Sequence, residues 1–168
     1  STRIVVLGNS GMGKSHWCKR WLDELDGSKP VLIWDPTLEW AGSSADRGIA
    51  RARTFPSVRA AAAQLVEAKI ARVVVQSTGE DFALFCKLCF LAGDVVAVID
   101  EAHLYCASGR CPPELLALLR VSRHRRVDLL FVAQRPHGLA VDLRTQVTHV
   151  VCFGMTAQSS LDWVRGEL

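Results

Sequence analysis

Short apolar stretches rich in valine and isoleucine alternate with longer amphipathic segments, and this alternation constrains the fold more than any other feature of the chain. The apolar stretches lie at 4–7, 31–34, 73–75, 95–99, 129–133 and 150–153. They are apolar at every position, as strands covered on both faces of a parallel sheet are. The segments between them predict helices at 14–25, 57–69, 80–91, 113–123 and from 157 onward. We therefore expect an α/β fold, with a mostly parallel sheet and helices on both faces.

The size and composition of the chain fit one domain. It has 168 residues, of which 49% are hydrophobic and 22% charged, so we expect a single domain over 1–168. No apolar run approaches the roughly 20 residues of a membrane-spanning helix. The N-terminus also lacks the basic, then apolar, then small-residue order of a signal peptide. We therefore expect a cytoplasm-like compartment with reduced cysteines.

A Cys-x-x-Cys pair, Cys86 and Cys89, invites a zinc or redox interpretation. The surrounding segment FALFCKLCFLA is apolar at helical spacing, however, and no second tight pair completes four ligands. We expect the two thiols to be buried as small hydrophobic side chains, with a metal or redox role as the alternative.

A glycine-rich loop follows the first predicted strand and precedes an amphipathic helix. It matches the pattern G-x-x-x-x-G-K-S, a cradle for nucleotide phosphates. In that pattern Lys14 contacts the β and γ phosphates, and Ser15 is a ligand of Mg²⁺. The predicted phosphate-binding residues are Gly8, Asn9, Ser10, Gly11, Met12, Gly13, Lys14 and Ser15.

Polar side chains follow two of the buried strands. The stretch VVAVIDE ends in Asp100 and Glu101, and LLFVA is followed by Gln134. Ligands of such folds bind at the carboxyl ends of the strands. We expect Asp100 to hold Mg²⁺ through its water shell, Glu101 to polarise the attacking water, and Gln134 to contact the γ phosphate or that water.

Arginines are concentrated between positions 110 and 135. This segment contains six of them and only two acidic residues, Glu114 and Asp128. Four of the six flank the predicted end of a helix, a favourable position for cations in any protein. This segment connects the Asp100 strand to the Gln134 strand, so we expect it near the nucleotide side, at the rim of a subunit. An arginine there could reach a neighbouring subunit's γ phosphate. The candidates are Arg123 first, then Arg125, Arg126 and Arg120.

Four motifs together resemble those of the HerA/FtsK superfamily of P-loop ATPases, and within it the genome-packaging ATPases of membrane-containing double-stranded DNA viruses. They are GNSGMGKS at 8–15, IWDPTLEW at 33–40, VVAVIDEAH at 95–103 and SRHRRVDLLFVAQRP at 122–136. The last motif is similar to the family's arginine finger followed by its sensor, which places the finger at Arg123 and the sensor at Gln134. The Asp-Pro-x-x-Glu-aromatic segment, Asp35 to Trp40, is also similar to one in the family.

The resemblance implies a RecA-like sheet with an additional strand, ATP and Mg²⁺ as ligands, and a homo-oligomeric, hexameric ring that moves double-stranded DNA through its centre. Viral packaging is favoured because the chain is a bare motor without a DNA-reading module. The motor would then bind capsid or membrane-vertex proteins, and it would be located in the host cytoplasm, at the packaging vertex of the virion, or both. DNA contacts would be to phosphates. The candidate residues for these contacts are Arg47, Arg51, Arg53 and Arg110.

Three other functions are weighed against this one. A P-loop ATPase for filamentous-phage assembly or export has similar motifs but usually a membrane segment. A small-molecule P-loop kinase is disfavoured because Glu101 beside Asp100 suits hydrolysis. The sequence DEAH at 100–103 also spells a helicase box, but that helicase needs a second motor domain. His103 is expected to pack at a helix start, with orientation of Glu101 as the alternative.

Overall fold

The computed structural model describes residues 1–25, 27–40, 52–68, 72–77, 79–107 and 111–167. Seven strands and six helices lie within these ranges. The strands are β1 (Arg3–Leu7), β2 (Val31–Trp34), β3 (Arg53–Phe55), β4 (Arg72–Val75), β5 (Val96–Ile99), β6 (Asp128–Ala133) and β7 (His149–Cys152). The helices are α1 (Lys14–Glu24), α2 (Val58–Ala68), α3 (Phe82–Ala92), α4 (Pro113–Arg125), α5 (Val141–Arg144) and α6 (Gln158–Glu167). Single 3₁₀ turns lie at Gly79–Asp81, Ala102–Leu104 and Pro136–Gly138.

The seven strands form one sheet in the order β3-β4-β2-β5-β6-β1-β7, and every pairing is parallel. This confirms the predicted α/β class. Strand β6 lies between β1 and β5, so an extra strand separates the glycine-rich loop from the Asp100 strand, as the resemblance implies. Because all strands are parallel, their carboxyl ends share one side of the sheet, which we call the carboxyl edge; the opposite side is the amino edge.

Helices cover both faces of the sheet, as predicted. On one face the core includes buried side chains of α2, α3, α4 and α5; on the other it includes those of α1, together with Trp40. The strands are apolar throughout because alternate residues enter these two cores: Val5 and Leu7 enter one, Ile4 and Val6 the other. Helix α1 lies on the opposite face from α2, α3, α4 and α5 because the connections are right-handed and the chain reverses its direction along the sheet. It moves one way from β1 to β3 and the other way from β3 to β7.

Two elements differ from the prediction. Strand β3 begins at Arg53, in a segment where the sequence predicts neither strand nor helix, and α5 has no predicted counterpart. Strand β3 is a three-residue edge strand with two exposed residues, so it has no apolar run for a sequence pattern to detect. Helix α5 has four residues, about one turn, which is too short to establish a 3.6-residue period.

Cys86 and Cys89 lie on the buried side of α3, in the core, as predicted. Burial raises the pKa of both thiols. No group of three or more side chains that could hold a metal occurs in the described parts of the chain. Nor is any described helix long and apolar enough to cross a bilayer.

Candidate functional site

The glycine-rich loop connects β1 to α1 at the carboxyl edge. Gly8 is required because a side chain there would place its Cβ 2.7 Å from the Cβ of Phe153, which follows β7. Gly13 adopts φ 92° immediately before the helix, a conformation that favours glycine. Asn9 joins the loop to the segment after β7, because its backbone N–H donates to the carbonyl of Gly154 at 3.0 Å. The loop is therefore held in shape by the neighbouring strand end.

Lys14 and Ser15 begin α1, where the helix dipole and free backbone N–H groups favour an anion. The Lys14 side chain folds back over the loop, and its Nζ donates to the carbonyl oxygen of Asn9 at 3.0 Å. One turn later lies Cys18, in the core. Burial raises the pKa of this thiol to about 12; the nearby charge of Asp100 also raises it, and that of Lys14 opposes the shift. The start of α1 therefore lies close to Asp100.

Asp100 follows β5 and is 3% exposed. The indole Nε1 of Trp40 donates to its Oδ2 at 2.7 Å, and the backbone N–H of Glu101 donates to its Oδ1 at 2.9 Å. Burial raises the pKa of Asp100 to about 6, although these two hydrogen bonds lower it. The carboxylate charge is therefore incompletely compensated within the protein, and a cation beside it would be stabilising.

The turn at residues 35–40 positions the side chain that binds Asp100. The sequence identifies this turn as a motif but does not reveal this role. Asp35 is fully buried and accepts hydrogen bonds from the backbone N–H groups of Glu39 and Trp40 and from the side chain of Gln76. This arrangement fixes Trp40, whose indole then reaches Asp100. Lys19 of α1 donates to the carbonyl of Glu39, so the turn is joined to the helix as well.

Glu101 adopts φ 46°, a left-handed conformation that is costly for a residue with a side chain. Its Oε2 lies 3.1 Å from Nδ1 of His103, and neither atom has a hydrogen-bond partner among the described residues. His103 is thus in position to orient Glu101, the alternative that the sequence left second. Both side chains are partly exposed, so Glu101 remains accessible at the carboxyl edge.

Gln134 is brought to the same edge by strand register. Ala133 pairs with Leu7, the last residue before the glycine-rich loop, and Phe131 pairs with Ile99, the last residue before Asp100. Gln134 follows β6, which lies between β1 and β5. The structure therefore brings the loop, Asp100, Glu101 and Gln134 together, as the sequence predicted.

The arginine cluster lies elsewhere, and the prediction that it lies near the nucleotide side is wrong. The end of α4 lies at the amino edge, because the carbonyl of Arg125 accepts from the N–H of Asp94, just before β5. Helix α4 leaves the carboxyl edge and runs back along the sheet, so its last residues and Gln134 are separated by all of β6, about 20 Å. Arg123 cannot reach the site of its own chain.

Two of the four arginines already have partners. Arg125 donates to the carbonyls of Phe90 and Leu91 at the end of α3, and Arg126 pairs with Asp94 at 3.0 Å. They stabilise the junction of α3 and α4. The side chains of Arg120 and Arg123 are exposed and have no hydrogen bond or salt bridge to any described residue. Only these two remain free candidates for contact with another subunit.

The candidate DNA contacts are only partly visible. Arg47, Arg51 and Arg110 lie outside the described residues. Arg53 is on β3, at the edge of the sheet farthest from β7, and it is exposed. Its side chain is accessible to a partner along that edge.

The side chains near the loop fit Mg²⁺, a hard cation that prefers oxygen ligands. Asp100 supplies a buried carboxylate whose raised pKa favours a cation nearby, and Ser15 supplies a hydroxyl at the start of α1. These two residues would hold the ion. When bound with a nucleotide, Mg²⁺ neutralises charge on the β and γ phosphates.

No protein-family model matches this chain, and no curated protein matches it in sequence. Solved structures do match. The genome packaging NTPase B204 from Sulfolobus turreted icosahedral virus 2, in complex with AMPPCP, has a TM-score of 0.74 and 21% identity, over 98% of this chain and 81% of that one. This chain has the fold of a viral genome-packaging NTPase. The sequence resemblance is thereby confirmed at the level of the fold.

Two further solved structures have related folds. The cytoplasmic domain of EssC has a TM-score of 0.62 and 13% identity, and the match covers 98% of this chain and 33% of that one. The N-terminal domain of zonular occludens toxin from Neisseria meningitidis has a TM-score of 0.50 and 16% identity, over 95% and 78% of the two chains. The additional-strand sheet therefore matches a group of P-loop folds and not one protein alone.

Replacement of Trp40 by Phe is expected to weaken the response of ATP hydrolysis to Mg²⁺. The variant keeps an aromatic ring in the core but loses the hydrogen bond to Asp100. A hydrogen bond to a charged group contributes about 1.5–3 kcal/mol, so the Mg²⁺ concentration for half-maximal activity should rise about 10-fold or more. A magnesium titration of the ATPase rate measures this, with Trp21→Phe as the control. A lower melting temperature with an unchanged magnesium titration would contradict the assigned role.

Proposed function

We propose that this protein is an ATPase that translocates double-stranded DNA, and that it packages a viral genome as a ring-shaped motor. The observation that carries the proposal is the assembly of the glycine-rich loop, Asp100, Glu101 and Gln134 on neighbouring strand ends at one edge of the sheet. The similar fold of B204, a genome packaging NTPase whose structures contain AMPPCP or ATP-gammaS, supports it.

In the proposed reaction the loop backbone and the start of α1 bind the nucleotide phosphates. Lys14 exchanges its contact with the Asn9 carbonyl for the β and γ phosphates, which gain more from its positive charge. Glu101 accepts a hydrogen bond from water and draws its proton toward the carboxylate, with His103 orienting the Oε2 atom. Gln134 donates its amide N–H to the γ phosphate or holds the same water.

Arg123 completes the proposed site from a neighbouring subunit. Its exposure and its position at the amino edge support this role, because it is free to contact another chain and too far from its own phosphate loop. A cation from outside stabilises the charge that develops on the transferred phosphoryl group. A subunit alone would hydrolyse ATP slowly, and ring formation would switch hydrolysis on.

The proposed partners are double-stranded DNA, further copies of the chain in a hexameric ring, and capsid or membrane-vertex proteins. The proposed location is the host cytoplasm or the packaging vertex of the virion. Contacts to DNA would involve phosphates, because a packaging motor must accept every sequence. Arg53, with Arg47, Arg51 and Arg110, would supply them.

A mixing experiment tests the shared site. Arg123→Ala should lower the ATPase rate about 10³-fold, and Glu101→Gln should also be nearly inactive. In a 1:1 mixture, a site with intact Glu101 meets a neighbour with intact Arg123 at about one interface in four, so about a quarter of the wild-type rate should return. Arg59→Ala, an exposed arginine on α2, is the control and should retain activity. A mixture as inactive as its two components would contradict a site shared between subunits.

A second measurement tests the substrate. Double-stranded DNA should stimulate ATP hydrolysis by the wild type, and the affinity for DNA should fall steeply with salt. Salt-independent binding would contradict contacts to phosphate. Transfer of phosphate to a metabolite, with no effect of DNA, would contradict the translocase and favour the kinase.

A further inference from the structure

Two cysteines outside the candidate nucleotide site lie with their sulfur atoms in contact. The Sγ atoms of Cys106 and Cys111 are 2.7 Å apart. Neither belongs to the Cys-x-x-Cys pair of the sequence, and both are free thiols in the structure. Cys106 is fully buried, whereas Cys111 is half-buried and lines a surface groove with Leu104, Pro112 and Val141.

Cys106 is held in place independently of the residues between the two cysteines. Its N–H donates to the carbonyl of Ala102 at 2.9 Å, and its carbonyl accepts from the N–H of Ala140 at 2.8 Å. The preceding Tyr105 stacks on Phe82 of α3, with ring centroids 4.5 Å apart. The position of this sulfur is therefore fixed by the core.

Cys111 is held from the other side. Pro112 and Pro113 follow it, and the carbonyl of Pro112 accepts the N–H of Leu116 in the first turn of α4. Prolines have few backbone conformations, so the entry into α4 is stiff. The two sulfurs meet because two anchored segments bring them together, and little chain entropy is left to lose when they bond.

The contact between the two thiols couples their ionisation, so that the pKa of one is lowered while that of the other is raised. By contrast, burial raises the pKa of Cys18, Cys86 and Cys89. A thiolate beside a second thiol is the arrangement of a nucleophilic cysteine with its resolving partner.

We propose that Cys106 and Cys111 form a reversible disulfide when the protein meets a small peroxide. The thiolate of one cysteine attacks one peroxide oxygen, the O–O bond breaks, and hydroxide leaves, so that this cysteine becomes a sulfenic acid. The second cysteine then attacks the sulfur of the sulfenic acid, and the hydroxyl group leaves with the thiol proton as water. In sum, two thiols and hydrogen peroxide give one disulfide and two waters. The peroxide reaches the pair through the groove that Cys111 lines.

The disulfide would join the segment after Glu101 directly to the start of α4. Cys106 is five residues beyond Glu101, and α4 leads to Arg120 and Arg123. Oxidation therefore tightens the connection between the two halves of the proposed shared site. The proposal itself does not depend on the ATPase function, because it rests on the positions of the two sulfurs.

Peptide mapping tests the proposal. The folded protein is treated with stoichiometric hydrogen peroxide, denatured, alkylated and cut with trypsin. Because Arg110 lies between the two cysteines, cleavage separates peptide 88–110 from peptide 111–120. The disulfide should keep the two peptides together until a reductant is added, and the intact protein should lose two of its six alkylatable thiols. Peptide 88–110 also contains Cys89, so fragmentation must place the bond at Cys106.

Matched variants make the result decisive. Cys111→Ser should abolish the link between the peptides, and Cys152→Ser, at an exposed cysteine, should leave it unchanged. The oxidised wild type should also melt at a higher temperature than the reduced form, a difference absent from Cys111→Ser. Uptake of alkylating reagent by all six cysteines after peroxide would overturn the proposal. So would a bond placed at Cys89, or one that joins two chains through Cys152.

Discussion

Glu101→Gln is expected to lower the rate of ATP hydrolysis about 10²–10⁴-fold while ATP still binds. The variant keeps the size of the side chain but loses the carboxylate that would accept a proton from water, and a positioned base contributes a factor of this order. The phosphate loop and Asp100 are unchanged, because the hydrogen bond from residue 101 to Asp100 comes from the backbone N–H. Single-turnover hydrolysis and calorimetric titration with ATP measure the two quantities separately.

The control for this variant is Glu80→Gln, at an exposed glutamate that precedes α3. It makes the same chemical change at a position that follows β4, two strands away from β5 along the sheet, and its hydrolysis rate should match that of the wild type. A Glu101→Gln protein that hydrolyses ATP within a few-fold of the wild-type rate would show that another group activates the water. A variant that no longer binds ATP would show that Glu101 acts on nucleotide binding.

Asp100→Asn is expected to remove magnesium-dependent hydrolysis, with a loss of at least about 100-fold, because the metal contributes several kcal/mol of charge stabilisation. Asn has a neutral amide in place of the carboxylate. The control is Asp162→Asn, at an exposed position on α6, which should retain the wild-type rate. A rate near that of the wild type, with the usual dependence on Mg²⁺, would contradict the assignment of Asp100 as a metal ligand.

The same substitution is expected to change how stability depends on pH. Burial raises the pKa of Asp100 from 3.8 to about 6 in the folded protein. Between these two pH values the folded state binds the proton and the unfolded state does not, so the contribution of Asp100 to stability falls as pH rises through this window. A shift of this size corresponds to about 2–3 kcal/mol.

Urea unfolding of wild type and Asp100→Asn at several pH values measures this contribution. The free energy of unfolding of the wild type should fall, relative to that of the variant, by about 2–3 kcal/mol between pH 4 and pH 7. Comparison with the variant removes the contributions of the other titrating groups. Parallel curves for the two proteins would mean that the carboxylate is compensated in the folded state and that its pKa is not raised.

Local patterns in the sequence were sufficient for most of the sheet. Strands β1, β2, β4, β5, β6 and β7 were predictable because buried parallel strands are apolar at every position. The glycine-rich loop was predictable because its close approach to Phe153 and its positive φ at Gly13 require glycine. Strand β3 was not, because an exposed three-residue strand depends on its neighbour β4 more than on its own side chains.

In the candidate site, too, some residues could be assigned from the sequence and others could not. The residues that follow buried strands could be assigned to the carboxyl edge, since parallel strands end on one side. The role of Trp40 could not be assigned, because its hydrogen bond to Asp100 spans 60 residues and depends on the turn that Asp35 stabilises. The contact between Cys106 and Cys111 could not be predicted for a related reason, because it depends on 3₁₀ turns and on the start of α4, which hold the two sulfurs from separate parts of the fold.

The sequence by itself determined the α/β class, the phosphate loop and the set of polar residues at the carboxyl edge, because each depends on residues close together in the chain. Only the tertiary structure decided where the arginine cluster lies. Helix α4 runs back along the sheet, so Arg123 is at the amino edge, and Arg125 and Arg126 bind the end of α3 and Asp94. The direction of a helix across a sheet and the partners of its last residues are set by packing between distant segments, and this packing separates structural arginines from those free to act on a neighbour.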